Sequence, residues 1–321
     1  MKIAVFGAGV IGGYLAAKLV AAGKTVHAVA RGAQLAAIRS HGLTLIEGGS
    51  ERRIPLPATD AAASLGPQDL VFVTLKAHSI PVAAPDIASL CGPDTVLIAA
   101  QNGIPWWYFY REGGALEGRR IRAVDPECNL FEILDPARAI GCVVQMAAEQ
   151  PRPGVIRHQA GNRFILGEPS GADTERLGRV ASVLREAGLA GDTTHRIRYE
   201  IWQKLWGNVA FNPLSALTLA TMDRLIGDPG ARALALAIMG EAERVANRLG
   251  IRFEITGEAR VDGLKRLGAY KTSALQDIEA GRPVELGALV DAVVEIARSF
   301  AIPTPMMEAV GTLARLRSAP V

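Results

Sequence analysis

The seven residues Gly7-Ala8-Gly9-Val10-Ile11-Gly12-Gly13 fit the pattern GxGxxG, and what flanks them constrains the fold more than the pattern itself. Lys2 to Phe6, immediately before, is a short run of β-branched and aromatic character that ends at Gly7, as a buried strand would. Tyr14 to Ala22, after it, has helical character with a stop at Gly23, and Thr25 to Ala30 reads as the next strand. In a strand–loop–helix–strand frame each glycine has a task. Gly7 makes the tight turn, Gly9 lets the backbone approach a pyrophosphate, and Gly12 lets helix and strand pack closely. The helix start adds free N–H groups and the positive end of its dipole. The loop Gly7, Ala8, Gly9, Val10, Ile11 and Gly12 is therefore expected to cradle a dinucleotide.

The end of the second strand selects which dinucleotide. NAD-specific folds place Asp or Glu there to bind the ribose hydroxyls. This chain has Val29-Ala30-Arg31-Gly32 and no acid nearby. A carboxylate would repel a 2′-phosphate, whereas the Arg31 guanidinium can hydrogen-bond it bidentately, so the cofactor expected is NADP(H).

Farther along, Gln34 to Ser40 reads as a short helix, and Leu43 to Ile46 and Arg53 to Leu56 as short strands around Gly48-Gly49. Asp69 to Thr74 and Thr95 to Ala100 are apolar strands. Lys76 and Asn102 lie just past their carboxyl ends, where ligands of open α/β sheets sit, and both are candidates for the site. The aromatic run Trp106-Trp107-Tyr108-Phe109-Tyr110 reads as a core plug in preference to a lid. Ala139 to Met146 and Phe164 to Leu166 resume strands on either side of a turn holding Pro151 and Pro153, and Gly188 to Thr194 reads as a join.

From about Tyr199 onward strand signals give way to long helical patterns. The expected architecture is α/β: an N-terminal Rossmann-type dinucleotide-binding domain over 1–194, then an all-α C-terminal domain over 195–321, with substrate between the two. Lys204, Asn208 and Asn212 fall at i, i+4 and i+8, so on a helix they project from one side, within about 40° per step. Leu205, Trp206, Val209, Ala210 and Phe211 cover most of the rest, which predicts a buried helix with Pro213 kinking or interrupting it. Burying an ammonium and two carboxamides is costly unless something pairs with them. Either protein groups satisfy the row or a bound ligand does. Pro283 and Glu285 are placed in the first turn of a later helix, Pro283 to Ser299.

Composition removes several function classes. The net charge of +3 over 321 residues comes with no basic run, which argues against nucleic acid. Cys91, Cys128 and Cys142 have no CxxC spacing, and the five histidines are scattered, so neither a disulfide framework nor a metal site is expected. The N-terminal apolar run meets Gly7 before a signal-peptide core could form, and no 18-residue uncharged apolar stretch exists. A cytoplasmic protein with no membrane partner is the expectation. The helical half is apolar enough for a homodimer, although an internal core would use the same residues.

Taken together these motifs resemble the ketopantoate (2-dehydropantoate) reductase family. The likeness runs through Gly7–Gly13, Val73-Thr74-Leu75-Lys76, Gln101-Asn102-Gly103, Lys204–Pro213, Lys271-Thr272-Ser273-Ala274-Leu275-Gln276-Asp277 and Pro283-Val284-Glu285-Leu286. The resemblance implies NADPH-dependent reduction of a 2-oxo acid to a 2-hydroxy acid, most directly 2-dehydropantoate to pantoate on the route to pantothenate and coenzyme A. It implies Lys204 as proton donor and Glu285 at both the cofactor and the active site. By the same resemblance Lys76 and Asn102 lie beside the cofactor, Asn102, Asn208, Asn212 and Ser273 bind substrate, and Ala147 touches the cofactor. The chain also departs from the pattern. Met222 stands where the family has a further substrate-binding asparagine, and Gly287, Val290 and Asp291 replace Asp, Asn and Gly. Loss of such polar contacts can redirect a site to another substrate. A reductase of a different oxo acid or an imine is thus the alternative, and a non-catalytic NADPH-binding sensor the third reading.

Overall fold

Parallel strands buried on both faces need continuous apolar runs, and the first half of the chain supplies them between helices. The computed structural model describes residues 1–318 and divides the chain into two units. The first comprises Met1–Gln101, Trp107–Arg119 and Asn129–Ile197; the second comprises Asn102–Trp106, Arg120–Cys128 and the chain from Arg198 on.

The first unit opens with β1 (Lys2–Phe6), α1 (Val10–Ala21), β2 (Thr25–Val29), α2 (Gly32–His41), β3 (Leu43–Glu47), β4 (Ser50–Ile54), β5 (Ala58–Thr59) and β6 (Gln68–Val73). It continues through α3 (Ile80–Ala88), β7 (Cys91–Ala99), α4 (Leu130–Leu134), β8 (Ala139–Arg152), β9 (Val155–Gly167), α5 (Glu175–Glu186) and β10 (Ala190–Thr193). The strands form one sheet in the order β4-β3-β9-β8-β7-β6-β1-β2-β5, with β10 beside β9. Parallel registers align Phe6 with Val73, Val73 with Ala99, and Ala99 with Gly141, so β1, β6 and β7 end at one level. β1 lies between β2 and β6, where the strand order reverses, and ligands of such sheets bind at that switch point. Ile3, Val5, Leu70, Phe72, Val96 and Ile98 form the core with Leu15 and Leu19 of α1. Helix α1 ends as expected: Gly23, with φ +75°, donates its N–H to Val20 and Lys24 donates to Leu19, closing the last turn.

The aromatic run is a core plug. Trp106, Trp107, Tyr108 and Phe109 are all buried, and Trp107 lies so close to Gly141 that a Cβ there would fall 2.6 Å from its ring. Two expectations are corrected. The strands around Pro151 and Pro153 are much longer than their apolar portions, because β8 and β9 form one antiparallel hairpin whose far end carries polar residues. Residues 190–193, read as a join, pair in parallel with β9 instead. Gly191 there lets β10 approach α5, since a Cβ would meet the Ala181 carbonyl at 2.7 Å.

The second unit is helical: α6 (Ile197–Thr218), α7 (Met222–Gly227), α8 (Pro229–Arg248), α9 (Gly257–Leu264), α10 (Ser273–Glu279), α11 (Ala292–Ser299) and α12 (Pro305–Ser318). Side chains cap several of them: Asp228 accepts from Ala231 N–H at 2.8 Å, Thr256 from Ala259 at 3.2 Å, and Thr272 from Leu275 at 3.1 Å. Pro213 does not interrupt α6. Its missing N–H forfeits one bond to Val209, but burial of almost every residue from 205 to 216 holds the helix. The expectation for Glu285 is also corrected, since helical backbone begins only at Leu286. Pro283 disfavours a helical Arg282, whose N–H goes back to Asp277 at 2.8 Å. Glu285 thus lies just outside the helix, before a widened π-turn, Gly287–Asp291, that leads into α11. Among the described residues no helix is long and apolar enough to cross a membrane.

One buried acid ties α8 to the start of α12. Glu241 of α8 is 3% exposed, and its two oxygens accept from Met306 N–H at 2.9 Å and Met307 N–H at 2.8 Å, capping α12. Glu241→Ala leaves those helix-start donors unmatched and is expected to cost about 2–4 kcal/mol in chemical denaturation. A loss below about 0.5 kcal/mol would show that the cap contributes little.

Candidate active site

At the carboxyl end of β1 the chain turns sharply at Gly7, whose φ of +103° and closeness to Leu75 (a Cβ would lie 2.8 Å from Cδ2) exclude other residues. A Cβ on Gly12 would lie inside the surfaces of the Gly7 carbonyl oxygen and Thr74 Oγ1, and 3.0 Å from Val5 Cγ1. Gly12 therefore serves the packing of α1 on β1. Gly9 is different: a Cβ there would meet no protein atom within 4 Å. Internal packing does not require glycine at this place, whereas a phosphate brought against the backbone would. Gly9, Val10 and Ile11 are partly exposed while Ala8 is buried, and α1 starts at Val10 with its first N–H groups lacking helical acceptors. This geometry fits the pyrophosphate of a dinucleotide.

Thr74 Oγ1 donates at the end of β6 and lies 3.1 Å from the Phe6 carbonyl and 2.8 Å from that of Gly7, fastening the loop to the neighbouring strand. Arg31 stands at the start of α2, is exposed, and its guanidinium has no hydrogen-bond or ion-pair partner among the described residues. That leaves a cation available at the end of β2, as a 2′-phosphate would need. Lys76 follows β6, half-buried, at the start of a short 3₁₀ turn. Ala147, partly exposed, lies on β8 well beyond Gly141, the residue level with the end of β7. The loop, Arg31, Lys76 and Ala147 all belong to the first unit.

In the helical unit α6 presents the row. From 204 to 216 every residue is buried except Lys204 and Asn208, which solvent reaches in part. Asn212 continues the same face inward, 3% exposed, and its Nδ2 donates to Ser273 Oγ on α10 at 3.4 Å, the long end of hydrogen bonding. The Asn208 carboxamide has no hydrogen-bond partner among the described residues. Beside the row, Arg260 Nη2 donates to the Gln203 carbonyl at 3.2 Å; burial, and then Arg266, hold its pKa below that of an ordinary guanidinium. The segment carrying Asn102 packs on the π-turn that follows Glu285. Gly103, with φ +81°, is seated on Ala288, whose carbonyl accepts from Ile104 N–H at 2.9 Å, so Asn102 is held close to the chain that carries Glu285. Asn212 and Ser273 are thus joined directly, and Asn102 is tied to the turn after Glu285.

Three of the departures from the family pattern have packing explanations. Gly287 is pressed to the Ala123 carbonyl, 2.9 Å from where a Cβ would be, and Val290 Cγ1 lies 2.8 Å from a Cβ position on Gly311 of α12. Asp291 forms an ion pair with Arg315, whose Nη1 donates to both carboxylate oxygens at 2.7 Å. The bare backbone of Gly287 admits the 120–128 segment, and the Val290 and Asp291 side chains dock α12, which explains their identity without substrate. Met222 is buried at the start of α7, its N–H bonded to the Tyr270 carbonyl at 3.0 Å.

Two residues of the site carry no recognisable signal in the sequence. Thr74 is visible there only as part of a motif with no assigned role. Gln34, which contacts the glycine loop at Ala8, gives no sign of it, because a glutamine early in a helix is common and its partners are remote in sequence.

Comparison with known proteins agrees across the whole chain. The family model described as ketopantoate reductase PanE/ApbA matches residues 3–171, and its C-terminal companion matches residues 196–318. A 2-dehydropantoate 2-reductase of Mesorhizobium japonicum is 50% identical over 316 residues, spanning 98% of this chain and 97% of that one. A solved structure from Ralstonia solanacearum, assigned to the ketopantoate reductases, superposes with a TM-score of 0.95 at 42% identity, covering 99% of this chain and 97% of the other. The 2-dehydropantoate 2-reductase of Geobacter metallireducens gives a TM-score of 0.86 at 28% identity, covering 98% and 99%.

Proposed function

The chain belongs to the ketopantoate reductase family, and from that premise we propose that it reduces 2-dehydropantoate to pantoate with NADPH. The observation that carries the proposal is the row on α6: a lysine and an asparagine are the only partly accessible residues of an otherwise buried stretch. A helix core that needed only packing would have apolar residues there.

NADPH held there would supply a hydride for the carbonyl carbon. The electron pair of the C=O bond moves to oxygen, and Lys204 is assigned the proton that this oxygen takes up. Before the proton moves, its ammonium stabilises the growing negative charge. Asn208, Asn212, Ser273 and Asn102 are assigned to the substrate's carboxylate and hydroxyl; the Asn208 carboxamide has no partner among the described residues, and Asn212 is pre-positioned by Ser273. Glu285 is assigned to orienting the ammonium and the cofactor ribose. On the first unit, Gly7 to Gly12 would hold the pyrophosphate, Arg31 the 2′-phosphate, and Lys76 and Ala147 the nicotinamide end. Holding both ends fixes the hydride donor in place, the main gain from orientation.

Met222, in place of the family's additional asparagine, favours one second reading: a 2-oxo acid with an apolar substituent where 2-dehydropantoate carries its hydroxyl. Initial rates of NADPH consumption against 2-dehydropantoate and a panel of apolar 2-oxo acids separate the two. The highest kcat/KM is expected with 2-dehydropantoate; a tenfold preference for an apolar oxo acid would assign the site to that class instead.

Arg31 carries the cofactor prediction. A charged hydrogen bond to the 2′-phosphate is worth about 1.5–3 kcal/mol, so Arg31→Ala is expected to erase a roughly ten- to hundredfold preference for NADPH over NADH. Equal preference in wild type and variant would remove Arg31 from this role.

A further inference from the structure

The β2–α2 turn that presents Arg31 is open. Arg31, Gly32 and Ala33 are all exposed, and a Cβ on Gly32 would touch nothing within 4 Å. The first residue of α2 tied to other elements by hydrogen bonds is Gln34. Its Nε2 donates to the Ala8 carbonyl of the glycine loop at 2.5 Å. Its Oε1 accepts from Gly154 N–H at 2.7 Å and from Gln150 Nε2 at 2.6 Å, both at the tip of the β8–β9 hairpin. Only one orientation of the amide serves a carbonyl on one side and a backbone N–H on the other, so the side chain is fully specified. The hairpin tip in turn rests on α2, where a Cβ on Gly154 would be 2.9 Å from Ala37 Cβ.

We propose that Gln34 is a positioning residue that locks the Arg31 turn to the glycine loop and so sets the spacing between the 2′-phosphate and pyrophosphate sites. The inference rests on the NADPH reading above. A dinucleotide phosphate spans both sites with a fixed length between its phosphates, so Arg31 gains its full contact only if the two supports are held in register. NADH engages the loop alone and does not use that register. Leu35 and Ile38 anchor α2 in the core and are expected to keep the helix in place without Gln34, so the loss falls on alignment rather than on folding.

The test is fluorescence titration of NADPH and NADH into wild type, Gln34→Ala, Gln34→Met, Arg31→Ala and the double variant Arg31→Ala/Gln34→Ala. Gln34→Met keeps the side-chain volume while removing all three hydrogen bonds, and it serves if the alanine variant folds poorly. Either Gln34 variant is expected to weaken NADPH about tenfold and NADH much less, lowering the NADPH preference at least threefold. Added to Arg31→Ala, the Gln34 change is expected to shift the preference no further. A preference within threefold of wild type in both Gln34 variants, while Arg31→Ala abolishes it, would overturn the inference and leave Gln34 with a role in folding alone. If wild type itself shows no NADPH preference, or Arg31→Ala retains it, the cofactor reading fails first, and the two failures are distinct.

Discussion

Lys204→Ala is expected to lower kcat for 2-dehydropantoate reduction by about two to four orders of magnitude while leaving NADPH affinity within about twofold. The size follows from two contributions lost together: the proton, and the positive charge beside an oxygen that becomes anionic in the transition state. The selectivity follows from placement. Lys204 belongs to the helical unit, whereas the glycine loop and Arg31 belong to the first. Lys204→Arg restores a cation but not a readily transferred proton, and is expected to recover binding before it recovers kcat. Near-normal turnover in Lys204→Ala, measured in steady state with saturating NADPH, would move the acid elsewhere.

The second large effect contrasts two glycines three residues apart. Gly12→Ala forces a methyl into the Gly7 carbonyl and Thr74 Oγ1, backbone and a fixed hydroxyl that cannot both retreat, and is expected to cost about 3 kcal/mol of stability in denaturant. Gly9→Ala meets no protein atom, so its stability should stay within about 0.5 kcal/mol of wild type. Its methyl would stand where the pyrophosphate approaches, and NADPH binding is expected to weaken about tenfold or more. Calorimetric titration and denaturation on the same two proteins check both halves. A Gly9→Ala variant that binds NADPH normally would place the pyrophosphate away from this loop.

The same contrast separates what is legible in the amino-acid sequence from what is not. The glycine loop is legible because its demands are local: a turn, a close approach and a packing contact at fixed spacing along one strand–helix unit. The α6 row is legible because a helix converts a four-residue interval into a shared face. Pairings between remote segments are not. The seating of Gly103 on Ala288 and the threefold bonding of Gln34 leave no periodic trace. The outer halves of β8 and β9 stay hidden because the exposed polar residues toward the tip of their hairpin lack the apolar signal of a buried strand. Val290 shows the limit of reading by resemblance. Compared with the family pattern it is a lost polar contact; in the fold it is a side chain packed at Gly311 of α12. Met222 has no such structural explanation.

Family membership and the partly exposed Lys204–Asn208 face together carry the central claim, a reductase of 2-oxo acids. The direct measurement is the stoichiometry of pantoate formed to NADPH consumed when the wild-type protein is given 2-dehydropantoate. One pantoate per NADPH is expected, with turnover in Lys204→Ala lowered by about two to four orders of magnitude. Tight NADPH binding with no consumption of it above background, for 2-dehydropantoate and every other 2-oxo acid offered, would contradict it and make the protein a binder rather than an enzyme.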